Sequence, residues 1–130
     1  MKIGVTGTRS GMTRKQIEYA THLLTYYFEK GSEFHHGDCI GADVETAKIA
    51  KSLGYKIVCH PPIKHDLRAF YPADEMNEEL PYLKRNRNIV QQSEVLLAIP
   101  RYMTRSRGGT WYTHDYAVKN RTKVELILPE

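Results

Sequence analysis

The chain has 130 residues, 41% of them apolar and 26% charged, with a net charge of +4; this is the size and composition of one domain around one hydrophobic core. It contains no run near the roughly 18 apolar residues that a membrane span needs, and Met1 leads straight into a strand-like KIGV with no signal-peptide core. A disulfide scaffold is excluded by the presence of only two cysteines, so Cys39 and Cys59 are expected to be reduced in a cytoplasmic protein.

The first apolar run, KIGVTG, has strand character and ends in Gly7. TRKQ then has the form of a capping box, Thr13 followed by Gln16, and predicts a helix whose apolar face is Ile17, Ala20, Leu24, Tyr27 and Phe28, stopped by Gly31. EFHH is a second strand, ADVETAKIAKSL an amphipathic helix closed by Gly54, and YKIVCH a third strand cut off by Pro61 and Pro62. Residues 63 to 80 hold no period and read as a lid or irregular excursion. Pro81 opens a helix to about Gln92, VLLAIP is a fourth strand, 109 to 120 a fourth helix, and VELIL a fifth strand.

This alternation predicts a single α/β domain spanning 1 to 130, Rossmann-like, with a parallel sheet of about five strands and helices on both faces. Ligands of such sheets sit beyond the carboxyl ends of the strands where the strand order reverses. With the second and third strands on one side of the first and the last two on the other, the crevice lies between TGTRSG and PRYMTRSRGGT.

In the first of these loops Gly7 allows close backbone approach, Thr6 and Thr8 offer hydroxyls, Arg9 a cation, and the following helix a positive dipole end. Gly108, Gly109 and Thr110 open the last helix in the same way, with Arg107 before them. KRNRN presents Arg85, Asn86 and Arg87, of which one helix face can meet a phosphate. HHGDCIGAD holds metal-ligand residue types, but His35 and His36 leave opposite faces of a strand and no C-x-x-C or H-x-x-x-H pair exists, so neither a metal nor another cofactor is expected. Gly37, Gly41 and Asp43 read as turn-shaping and helix-capping residues, and Asp38 as a partner for a ribose hydroxyl. Tyr71, Trp111 and Tyr112 are candidates to stack on a base. The basic residues are focused in 83 to 88 and 101 to 107, not spread in a stripe, so a small anion is preferred to nucleic acid as partner. Tyr19, Tyr26 and Tyr27 give the first helix more aromatic surface than one buried stripe uses, which predicts a homo-oligomer.

The order GVTGTRSG, HHGDCIGADVETAKIAKSLG, KRNRNIVQQSEVLLAIP, RGGTWYTHDYA resembles the SLOG superfamily, which includes LOG-type phosphoribohydrolases and proteins related to the DNA-processing protein DprA. The resemblance covers essentially the whole chain. It implies a Rossmann-like pocket for nucleotides or nucleotide-derived ligands, with Gly7, Thr8, Arg9, Gly109 and Thr110 around phosphate or ribose. LOG-type enzymes carry a glutamate three residues after the threonine of the glycine motif, and here that position is Thr113, which cannot act as a carboxylate. His114 and Asp115 lie one and two residues on, turned roughly 100° and 200° away on a helix. The preferred reading is therefore binding, as a sensor or sequestering protein. The alternatives are an N-glycosidic hydrolase using Asp38, Asp43, Glu78 or Asp115, and a single-stranded nucleic-acid binder.

Overall fold

The computed structural model describes all 130 residues. Strands β1 (Lys2–Gly7), β2 (Glu33–His36), β3 (Lys56–Cys59), β4 (Glu75–Met76), β5 (Val95–Ile99) and β6 (Lys123–Leu126) form one sheet in the order β4-β3-β2-β1-β5-β6, and every neighbouring pair is parallel. The helices are α1 (Arg14–Tyr27), α2 (Ala42–Leu53), α3 (Tyr82–Gln91) and α4 (Gly109–Lys119). The domain is thus α/β and Rossmann-like, with the order reversing between β1 and β5. The five strands read from the sequence are all present; β4 is a sixth, a two-residue edge inside the excursion of residues 63 to 80.

Side-chain alternation divides the core between the two faces. Ile3, Val5, Phe34, Ile57, Leu97 and Ile99 meet Ala20 and Leu24 of α1 and Ala42, Ala47 and Ala50 of α2 on one side. On the other, Leu96 packs with Ile89 and Val90 of α3 and Ala117 of α4. The capping box of α1 forms as its sequence predicts, with Thr13 Oγ1 accepting from Gln16 N and Gln16 Oε1 accepting from Thr13 N. The buried stripe of that helix is rotated from the expected one: Ile17 is exposed and Gln16 is buried. Gln16 Nε2 donates to the carbonyls of Pro100 and Ile127 at 2.7 and 3.0 Å, which satisfies the amide and ties α1 to the ends of β5 and β6.

His35 and His36 leave opposite faces of β2. His35 Nδ1 lies 2.8 Å from His60 Nε2, whereas His36 stacks on Phe34. Burial pushes the imidazole of His36 down to about 4 and that of His60 to about 3, and lowers His35 as well, so all three are neutral at pH 7. Tyr27 packs against the core and donates to Glu125, while Tyr19 and Tyr26 remain exposed. No helix is long and apolar enough to cross a membrane.

Candidate functional site

A cleft of about 340 Å³ opens at the carboxyl ends of β1 and β5, where the strand order reverses. Its walls come from the end of β1 and the loop after it (Thr6 to Ser10), the start of α2, the inner face of α3, the loop after β5 and the first turn of α4. Gly7 is required at this junction, because a Cβ there would stand 2.6 Å from Ala42 Cβ. The close approach lets Ala42 N donate to Thr8 O at 2.9 Å and seats α2 against β1. Gly41, at φ +88°, turns the chain into α2 where a side chain would collide with the Thr8 and Arg9 backbone.

The sequence places the end of α1 at this cleft, and the structure does not. Six residues separate Gly7 from Arg14, the α1 N-terminus is closed by its own capping box, and no residue from 11 to 16 lines the cleft. The helix ends that border it are those of α2 and α4. Gly108, at φ +131°, and Gly109 lead into α4 without any side-chain cap, leaving its first amides for another acceptor.

Gly7, Thr8, Arg9, Asp43, Arg85, Asn86, Arg107, Gly108, Gly109 and Thr110 all line the cleft. Arg85 turns inward but is already engaged: its Nη1 donates to the carbonyls of Gly37 and His60 at 2.6 and 3.1 Å, and its Nε donates to Asn86 Oδ1 at 2.7 Å. Gly37 lies behind that guanidinium, and Arg87 points away to Tyr112. Arg9, Arg101 and Arg107 have no carboxylate partner; Arg9 and Arg101 lie against the rings of Tyr82 and Tyr102. Arg101 and Tyr102 line the cleft without having been singled out from the sequence. An arginine and a tyrosine immediately after a strand that ends at the crevice were the available signal.

Asp38, read from the sequence as a partner for a ribose hydroxyl, does not line the cleft. It is fully buried at φ +57°, its Oδ2 accepts from Arg68 Nε and Phe70 N, and its Oδ1 accepts from Tyr71 N. Those bonds anchor the excursion on the β3 side of the sheet, so residues 63 to 80, with Tyr71 and Glu78, form no lid over the cleft. Asp115 is exposed on α4 and pairs with Arg105, whose guanidinium lies over the Trp111 ring. Of the three aromatic candidates only Trp111 lines the cleft.

No protein-family model matches this sequence. None of the curated proteins compared with it matches either. Among solved structures, the chain is similar to a molybdenum cofactor binding protein of Rippkaea orientalis (22% identity, 96% of this chain and 74% of that one, TM-score 0.72). It is also similar to the molybdenum cofactor carrier protein of Chlamydomonas reinhardtii (22%, 96% and 74%, 0.68) and to DNA processing protein A of Helicobacter pylori (19%, 97% and 64%, 0.68). The chain shares the Rossmann-like fold of these proteins. Thr113 is buried on α4, outside the cleft lining, and its Oγ1 has no hydrogen-bond partner.

The Asp38–Arg68 pair, at 2.8 Å, is the main polar anchor of the excursion. Arg68→Ala should lower stability by about 3 kcal/mol, the scale for leaving a buried charge unpaired, and should open 63 to 80 to proteolysis. Urea denaturation with an unchanged midpoint, and an unchanged cleavage pattern, would contradict this anchoring.

Proposed function

We propose that the cleft binds a nucleotide or nucleotide-derived small molecule through its phosphoryl group, as a sensing or sequestering module. The observation that carries this reading is the convergence of Arg9, Arg101 and Arg107, none of them ion-paired, on the uncapped start of α4. Backbone amides at a helix N-terminus and unpaired guanidinium groups favour the same ligand, an anion with several acceptor oxygens. The cleft volume accommodates a nucleotide, and Trp111 and Tyr102 supply ring surface at its wall. Proteins of similar fold bind a molybdenum cofactor or single-stranded DNA, which supports use of this architecture for binding.

Self-association belongs to the same proposal. Tyr19 and Tyr26 are exposed on α1, and Tyr19 borders a shallow groove with Leu126 and Leu128. Light scattering should return about twice the 15.0 kDa chain mass; a monomer at high concentration would remove this part.

Trp111 is the single tryptophan and reports directly on the cleft. Adenosine diphosphate should change its fluorescence saturably and be recovered intact. Arg9→Ala and Arg107→Ala should each weaken binding roughly 10- to 100-fold, the scale of one charge-assisted contact, and Gly109→Val should abolish it. Arg14→Ala, whose side chain pairs with Glu18 away from the cleft, should bind as wild type. Equal affinities across all four variants would place the anion elsewhere.

A further inference from the structure

Asp43 is the one carboxylate in a cleft whose other charged lining residues are all arginines. It sits in the first turn of α2, is only 6% exposed, and has no ion-pair partner. One oxygen is fully occupied: Oδ2 accepts from Gly37 N at 3.1 Å and Cys39 N at 3.3 Å. The other, Oδ1, makes no hydrogen bond within the chain, and the residue lines the cleft. An anion in this position repels phosphate oxygens and can only accept a hydrogen bond.

We propose that Asp43 selects, among phosphorylated ligands, those whose sugar carries both the 2′- and the 3′-hydroxyl: ribonucleotides over deoxyribonucleotides and over a bare phosphate chain. This rests on the cleft being an anion site, as argued above. Arg9, Arg101 and Arg107 satisfy the ligand's charge, and Asp43 Oδ1 needs a neutral donor next to it. The sugar is the part of a nucleotide joined directly to phosphate, and its hydroxyls are that donor; ribose offers two adjacent hydroxyls to the two lone pairs of Oδ1, where 2′-deoxyribose offers one. Burial raises the Asp43 carboxyl to about 6 despite the Arg85 charge and the two amides, so the ionised form is under-compensated and gains from an added donor.

The substitution Asp43→Asn has a defined effect here. Gly37 N and Cys39 N still require an acceptor, so the amide oxygen takes the place of Oδ2 and the NH2 group turns to the cleft. The polarity facing the ligand is reversed. Titrations of the full chain, read by calorimetry, would compare adenosine diphosphate, deoxyadenosine diphosphate and inorganic pyrophosphate. Wild type should bind the ribonucleotide about tenfold or more tighter than the deoxyribonucleotide, and pyrophosphate weakest. Asp43→Asn should lose the preference between the two nucleotides and bind pyrophosphate more tightly than wild type does. Equal wild-type affinity for the two nucleotides overturns the proposal without the variant, while leaving the anion site standing. A variant that folds and keeps the preference overturns it as well. Failure of wild type to bind any of the three refutes the anion site and this selectivity with it.

Discussion

A guanidinium is buried at the carboxyl end of the sheet with no carboxylate in contact. Arg85 is held instead by the carbonyls of Gly37 and His60, by Asn86 Oδ1 and by the Cys39 thiol at 3.8 Å. Removing such a charge from water costs several kcal/mol, and only well-aimed acceptors offset it. The two carbonyls come from the chain leaving β2 and the chain leaving β3, so one side chain of α3 fixes both strand ends. The turn between β2 and α2 is thereby held, and with it Asp43 and the start of α2 beneath the cleft. His60 and His36 stay neutral beside this charge, which spares the site further positive charge at its base.

With that cation committed to structure, the arginines free to meet a ligand are those of the two crevice loops. Arg9 and Arg101 rest on tyrosine rings and Arg107 precedes the glycine pair, an arrangement that holds cations near the opening without neutralising them. Hydrolysis of an N-glycosidic bond would need a carboxylate in the cleft. Asp38 is sealed by the excursion, Asp115 is occupied by Arg105 on the outer side of α4, Glu78 is exposed on the excursion, and Thr113 is buried. Asp43 alone remains, with one oxygen tied to the backbone. Recognition of a ligand hydroxyl uses the oxygen that is left.

Much of this was readable from local pattern. The capping box at Thr13 and Gln16, the strand and helix alternation, and the crevice between the first and fourth predicted strands depend on nearest neighbours and on chain order. What was not readable depends on distant partners. Gln16 displaces Ile17 from the buried stripe because the carbonyls of Pro100 and Ile127 are waiting for its amide. β4 exists because Asp74 bonds both backbone groups of Ile57, its N accepted by the Ile57 carbonyl and its Oδ2 accepting from Ile57 N. Asp38 and Asp43, five residues apart in one motif, have opposite fates, and it is the distant segment carrying Arg68, Phe70 and Tyr71 that separates them. The α1 end was misplaced because six residues of loop can carry a helix start away from the strand it follows.

The central claim is that a phosphorylated ligand is held by the first turn of α4 and the loop after β1. A proton–nitrogen correlation spectrum of the labelled protein, titrated with adenosine diphosphate, tests it residue by residue. The amides of Thr8, Arg9, Ser10, Gly109, Thr110 and Trp111 should shift together and saturate, with those of α1 and of residues 63 to 80 unmoved. Saturable shifts centred on α1 or the excursion, or none anywhere, would contradict it.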